Sequence, residues 1–239
     1  MKVLIFDTET TGLPETKILN PDTLDKWPYM VQLSYVIYEE VYENEFEILD
    51  IKDYIIKLPE SIHISVESNK IHGITDEISQ TNGVLIEHVL HDLFYNLQKV
   101  DRIVGHNISF DLNIIRAELL RFIYNTSNTI REEEIKFYKK YLYYLNNFKN
   151  IYCTMYNSIE FCNIIALDKF GKPYKKYPKL IDLYFKLFSC EPKNMHNSLH
   201  DVAATLRCYI KIIRGIDILE IDNIRINRLL QPLHPLIDL

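Results

Sequence analysis

The chain has 239 residues, 47% hydrophobic and 25% charged, with a formal net charge of −6. This balance fits one α/β domain with a real core and excludes a disordered chain, while the acidic sum excludes a protein that grips polyanions by bulk charge, leaving local positive patches. The four cysteines, Cys153, Cys162, Cys190 and Cys208, form no C-x-x-C pair, which excludes common zinc spacings and predicts free thiols in a reducing compartment.

Val3 to Phe6 is apolar at every position, the pattern of a short strand buried on both faces. No basic leader precedes it, and no apolar run approaches the ~20 residues that span a bilayer. The expectation is a protein that is not secreted and has no membrane partner, resident in the cytoplasm or at a nucleoid-like or viral-factory-like site. Residues 31–38 and 46–58 are β-branched and aromatic-rich and extend the sheet as antiparallel or edge strands. Residues 84–99 place Leu85, Val89, Phe94 and Leu97 near helical spacing, and 101–105 reads as another strand through Ile103 and Val104. From Asp111 onward, Leu112, Ile115, Leu119, Phe122 and Ile123 fall on one helical face. Residues 125–150 are polar, charged and tyrosine-rich and read as an inserted helical segment. Residues 169–179 read as a basic loop leading to a helix near 180–188. Leu199, Val202, Leu206, Tyr209 and Ile213 line the core face of the last strongly periodic helix, and the tail after Gly215 has room for one more short helix. Strands followed by mixed helices and strands give the α/β class.

Three clusters carry chemistry. In Phe6-Asp7-Thr8-Glu9-Thr10-Thr11-Gly12, strand alternation points Asp7 and Glu9 to the same side, about 6–7 Å apart along the backbone. Two carboxylates so placed bracket a cation; taken alone, the pair reads equally as a solvated turn. The second cluster is His106-Asn107-Ile108-Ser109-Phe110-Asp111, between a strand and a helix. By itself Asp111 reads as an acid favoured at a helix N-terminus. The third is His196-Asn197-Ser198-Leu199-His200-Asp201. Asp201 borders the core face, as a cleft-facing ligand would, and Ser198 with Asp201 also reads as a variant capping box. Five residues of continuous helix would rotate His196 about 140° from Asp201, so His196 belongs in the preceding loop. His200 reads as a surface residue.

In this order and at these separations, Asp-Thr-Glu-Thr-Thr-Gly, His-Asn-x-x-Phe-Asp and His-x-x-x-x-Asp resemble the motifs of the DEDDh 3′–5′ exonuclease family, including the proofreading subunit of bacterial replicative polymerase. Ile71-His72-Gly73-Ile74 is similar to a further segment of that family. The resemblance spans about residues 1–213, with the helical insertion around 125–150 and the tail 214–239 outside the compact pattern. It implies a ribonuclease H-like exonuclease fold, a central mixed β-sheet flanked by helices. It implies two Mg²⁺ or Mn²⁺ ions held by Asp7, Glu9, Asp111 and Asp201, with Asp7 bridging both, and His196 as general base. An imidazole ordinarily titrates near neutrality, which suits that role. Thr10, Leu13, His72, Asn107 and Phe110 become candidate nucleotide contacts; Leu13 and Phe110 read equally as core, and Asn107 as a turn cap.

The expected substrate is the 3′ end of a nucleic acid, single-stranded, with DNA preferred over RNA and a proofreading or repair role. A polymerase or a second copy of the chain are the protein partners the family allows. The competing reading is a non-catalytic module that binds nucleic acid or a polymerase; a dead relative would be expected to lose a ligand or the base, and all five positions are present. The loop 169–179 interleaves Tyr174 and Tyr177 with Lys172, Lys175, Lys176 and Lys179, the composition either of a single-strand grip or of a solvated charged loop.

Overall fold

A computed structural model of the chain describes residues 1–42, 45–124 and 132–234. The start of the inserted segment, 125–131, and the end of the tail, 235–239, lie outside the described residues. Five strands form one sheet: β1 (Lys2–Thr10), β2 (Met30–Tyr42), β3 (Glu45–Ile55), β4 (Arg102–Gly105) and β5 (Ile151–Cys153), in the order β3-β2-β1-β4-β5. β1 pairs antiparallel with β2 and parallel with β4, so the sheet is mixed and β1 is central. That position explains the apolar Val3–Phe6 run, since both faces of β1 are covered by helices.

Alternation along β1 assigns the two faces. Leu4 and Phe6 join a core with α3 (Ile86–Leu97), α4 (Ile108–Tyr124) and α5 (Glu132–Asn147). Val3 and Ile5 join a second core with α8 (Leu180–Phe188), α9 (Ser198–Arg214) and α10 (Ile224–Leu230). Two short helices, α1 (Val66–His72) and α2 (Asp76–Asn82), close the rim near the end of β1. Gly73 caps α1 at φ 74°, a left-handed position that glycine adopts without steric cost. Helices α6 (Thr154–Asn157) and α7 (Ile159–Cys162) follow β5, and two further strands, β6 (Ile165–Leu167) and β7 (Pro173–Lys175), make a separate antiparallel hairpin.

Two expectations are corrected, and the expected helical segment around 125–150 gains detail. The basic stretch 169–179 is not only loop: it contains β7 and the hairpin turn, strands too short for alternation to reveal. The 132–147 part of the expected insertion is a load-sharing layer of the core. Its Tyr138, Tyr141 and Leu145 are buried, and Tyr141 packs on Phe94 with ring centroids 4.2 Å apart. Tyrosine looks polar in sequence but buries most of its ring. Ser198 and Asp201 form no capping box; Asn197 caps α9, accepting the His200 N–H.

The tail also packs. Ile218, Ile226, Leu229, Leu230 and Leu233 are buried on the α9 side. Arg207 of α9 is 5% exposed; it holds Asp217 through Nε at 2.8 Å and Nη2 at 2.5 Å, donates to Tyr184 Oη, meets His234 Nε2 at 2.6 Å, and stacks on Phe188 at 3.8 Å. No helix among the described residues is long and apolar enough to cross a membrane.

Candidate active site

The odd-numbered side chains at the end of β1 face α9, which sets Asp7 and Glu9 opposite its N-terminus. Asp7, Glu9 and Asp201 each offer a carboxylate oxygen within 4.8 Å of the others. Asp201 lies in the first turn of α9 and Asp111 in the first turn of α4, where the helix dipole favours a negative charge. Asp111 stands outside the tight set of three. It is buried, and its Oδ1 accepts the Thr8 N–H at 3.0 Å and the Thr8 hydroxyl at 2.8 Å. Its charge still acts on Asp7 and Glu9.

Burial raises all four acids, and neighbouring carboxylates add to it at Asp7, Glu9 and Asp111. Asp7 is pushed well above the ordinary carboxylate range. Glu9 rises to about 8, and Asp111 and Asp201 to about 7, despite the bonds from Thr8 to Asp111 and from the His196 N–H to Asp201. Four acids gathered at low exposure repel one another unless protons or cations neutralise them. The donor set is all oxygen, which suits a hard divalent cation such as Mg²⁺ or Mn²⁺.

His196 sits in the loop before α9 at φ 67°, and its N–H donates to Asp201 Oδ1 at 3.3 Å. The residue is exposed, and its ring makes no hydrogen bond among the described residues. Thr10 is buried and donates to the Gly12 carbonyl at 2.7 Å. His72 meets the Thr10 carbonyl through Nε2 at 3.3 Å. Leu13 is 83% exposed, so it is no core residue. Phe110 is half-buried against the α4-side core. Asn107 adopts φ 62° in the turn that starts α4, its carbonyl accepting the Phe110 N–H at 2.9 Å. His200 accepts no role at the cluster; its Nδ1 lies 2.8 Å from the Asn194 carbonyl.

Sequence reasoning missed the residues that fix this arrangement. Ser198 Oγ donates to the Asp7 carbonyl at 2.7 Å and accepts the Ser34 N–H at 3.0 Å. The Ser198 N–H donates to Gln32 Oε1 at 3.3 Å, and Gln32 and Ser34 both donate to Asp53 Oδ1 at 2.7 Å. This chain, exposed at Asp53 and buried at Gln32, Ser34 and Ser198, runs from β3 through β2 to α9 and β1, locking the Asp201 helix to the Asp7 strand. His106 is a second tie. Its Nε2 donates to the Pro178 carbonyl at 3.0 Å and its Nδ1 faces Thr154 Oγ1 at 3.0 Å. Burial pushes this imidazole down to about 4, so it stays neutral and structural.

A cavity of about 670 Å³ opens on the other side of the sheet, among Met30, Leu58, Leu85, Arg121 and Phe122. Its buried charges are already bonded: Arg121 holds Glu118 at 2.8 Å and the Trp27 carbonyl at 2.6 Å.

The family model RNase_T, described as an exonuclease, matches residues 4–209. No curated protein sequence matches the chain. Among solved structures, E. coli exonuclease I in complex with a dT13 oligonucleotide superposes with a TM-score of 0.58 at 17% identity, over 90% of this chain and 42% of that one. Exonuclease I from Methylocaldum szegediense gives 0.56 at 16% identity, over 90% and 41%. A product-bound exonuclease I gives 0.58 at 13%, over 88% and 43%. The chain thus spans about two fifths of the length of these exonuclease I chains, and at such identity the likeness is one of fold. With the mixed five-stranded sheet, the acid-bearing central strand and the family match over most of its length, the chain belongs to the RNase_T family of exonucleases and has the ribonuclease H-like exonuclease fold.

Proposed function

We propose that the chain is a 3′–5′ exonuclease that releases nucleoside 5′-monophosphates from single-stranded DNA, using two divalent cations. The observation that carries this reading is the convergence of Asp7, Glu9 and Asp201 within 4.8 Å, with Asp111 adjacent. Asp7, Glu9 and Asp201 would hold one cation. Asp111, outside the tight set, supports a second position shared with Asp7. Bound Mg²⁺ or Mn²⁺ would supply shielding of the phosphate and a water of lowered pKa at neutral pH. The residues do the rest. The bonds from Thr8 and Ser198 keep Asp111 and the Asp7 strand in place, so the acids need not reorganise during the reaction. His196, exposed beside Asp201, takes the proton from the attacking water. Thr10, Leu13, His72, Asn107 and Phe110 are the nucleotide contacts of this reading; Leu13, 83% exposed, is free to lie against a terminal base.

DNA over RNA is favoured by the likeness to an exonuclease I solved with dT13. Digestion of a 5′-labelled strand tests the reading, with single-stranded DNA, duplex, mismatched duplex and RNA in parallel. The expected result is a Mg²⁺-dependent ladder that shortens from the 3′ end, fastest on single-stranded DNA, and stops with EDTA. Immediate release of the labelled 5′ nucleotide, or digestion that persists in EDTA, would overturn it.

A further inference from the structure

The β6–β7 hairpin leaves most of its side chains uncovered, with Ile164, Ala166 and Asp168 half-buried. Ile165 is 56% exposed, Leu167 67%, Phe170 at the turn 81%, and residues 171–177 are exposed throughout. A two-stranded hairpin alone in water is marginal, so this one is held at its base. Pro178 is buried and its carbonyl takes the His106 bond. Tyr177 packs edge-on against Tyr156 with centroids 5.2 Å apart, and Lys175 pairs with Glu160. His106 immediately precedes the turn that starts α4 and aims Asp111. The base of the hairpin is therefore tied to the turn that leads into Asp111.

Its chemistry differs from that of the molecule. Residues 169–179 carry Lys169, Lys172, Lys175, Lys176 and Lys179 and no acid, in a chain of net charge −6. Pairing is Ile165↔Lys175, Ala166↔Tyr174 and Leu167↔Pro173, extended by bonds between Asp168 and Lys172 and between Lys176 and Ile164. Alternation along this ladder puts Lys172, Tyr174 and Lys176 on one face, about 7 Å apart in sequence. The ammonium groups of Lys172 and Lys176 form no ion pair among the described residues, although the Lys172 N–H donates to Asp168 Oδ1 at 2.9 Å, and Tyr174 is 49% exposed.

We propose that this Lys172–Tyr174–Lys176 face binds single-stranded nucleic acid, holding the strand upstream of the 3′ end presented to the carboxylates. Cations alternating with an aromatic ring match a backbone of phosphates with bases that stack. The direction of the strand rests on the exonuclease reading above; the binding itself does not.

The test uses the full chain in EDTA and fluorescein-labelled oligo-dT, with affinity measured by anisotropy across salt concentrations. The double variant Lys172→Ala/Lys176→Ala should lower the slope of log K against log salt by about 1.4, two contacts at ~0.7 each. Tyr174→Ala should weaken binding by between about 5-fold and 150-fold. Turnover of a p-nitrophenyl ester of thymidine 5′-monophosphate with Mn²⁺, which is too short to reach the hairpin, should match the parent in every variant. Unchanged affinity and slope in all variants would overturn the proposal. If the variants lose affinity while the parent fails to turn over the ester, the strand-binding face stands and the exonuclease reading falls.

Discussion

The carboxylates of the centre and the imidazole beside them are held in opposite ways. Asp7 and Glu9 stand on the central strand, and Asp111 is seated by two bonds from Thr8. His196 stands in an exposed loop on left-handed backbone, and the lysine-rich hairpin is likewise exposed. Groups whose mutual geometry must be fixed are built on regular elements, where neighbours lock their rotamers. The groups proposed to meet and release a strand stand on exposed segments, which carry fewer buried contacts and open at lower cost.

That division gives an ordered set of outcomes. Asp7→Asn should have the largest effect on hydrolysis, a loss of roughly 10³-fold or more, since it removes a charge shared by both proposed cation positions. The same change should raise the melting temperature in EDTA, because it removes one repelling carboxylate. A fall in both activity and EDTA stability would mean that Asp7 holds the fold together rather than the cations. His196→Ala should cost about 10²–10⁴-fold in turnover yet leave the rise in melting temperature on adding Mn²⁺ unchanged. Loss of that rise would move His196 from proton transfer to structure.

Next comes the pH dependence of stability. The folded pKa values of Glu9, Asp111 and Asp201 lie near 7–8, above their ordinary values. The folded state therefore binds more protons than the unfolded one between about pH 4 and pH 8. Stability in EDTA should fall as pH rises through that window, and the gain from Mn²⁺ should grow over the same interval. At a hundredfold excess over Kd the gain is about 2.7 kcal/mol, roughly 5–10 °C. Calorimetry at pH 5.5 and pH 8, with and without Mn²⁺, measures it; an equal gain at both would detach the raised acids from the cation site. The last effect, on stability alone, is expected from Ser198→Ala. It leaves the buried Ser34 N–H without its acceptor, at about 1–3 kcal/mol, seen as a melting temperature lower by about 2–12 °C. Unchanged stability would show that α9 is held by packing alone.

Parts of this division were legible in the sequence. Period-two alternation placed Asp7 and Glu9 on one side, and the 140° argument put His196 ahead of α9; both are local geometry. Ser198 was not legible, because its partners Asp7 and Ser34 lie far away in sequence. A serine between Asn197 and Leu199 looks like a cap until the strand it touches is known. Asp111 was weak for a similar reason: an acid in a first turn is common, and only the bonds from Thr8, about a hundred residues away, distinguish this one. The tyrosines of α5 misled in the other direction, since a residue counted among polar neighbours supplied buried ring surface. The fold class came from the strand succession, whereas strand order depended on the parallel β1–β4 pairing, a contact across about a hundred residues.

The Arg207 clamp ties the tail to the last helix of the exonuclease pattern. The exonuclease pattern ends at residue 209, within α9, but Asp217 and His234 lie beyond it. A chain cut at that boundary would keep the guanidinium in an apolar setting with its counter-charge removed, a loss of about 3–5 kcal/mol. It would also delete Ile226, Leu229 and Leu230 and so uncover the core face of α9 that they cover. The described residues after 209 hold none of the proposed chemistry, yet they complete the packing of the helix that carries Asp201.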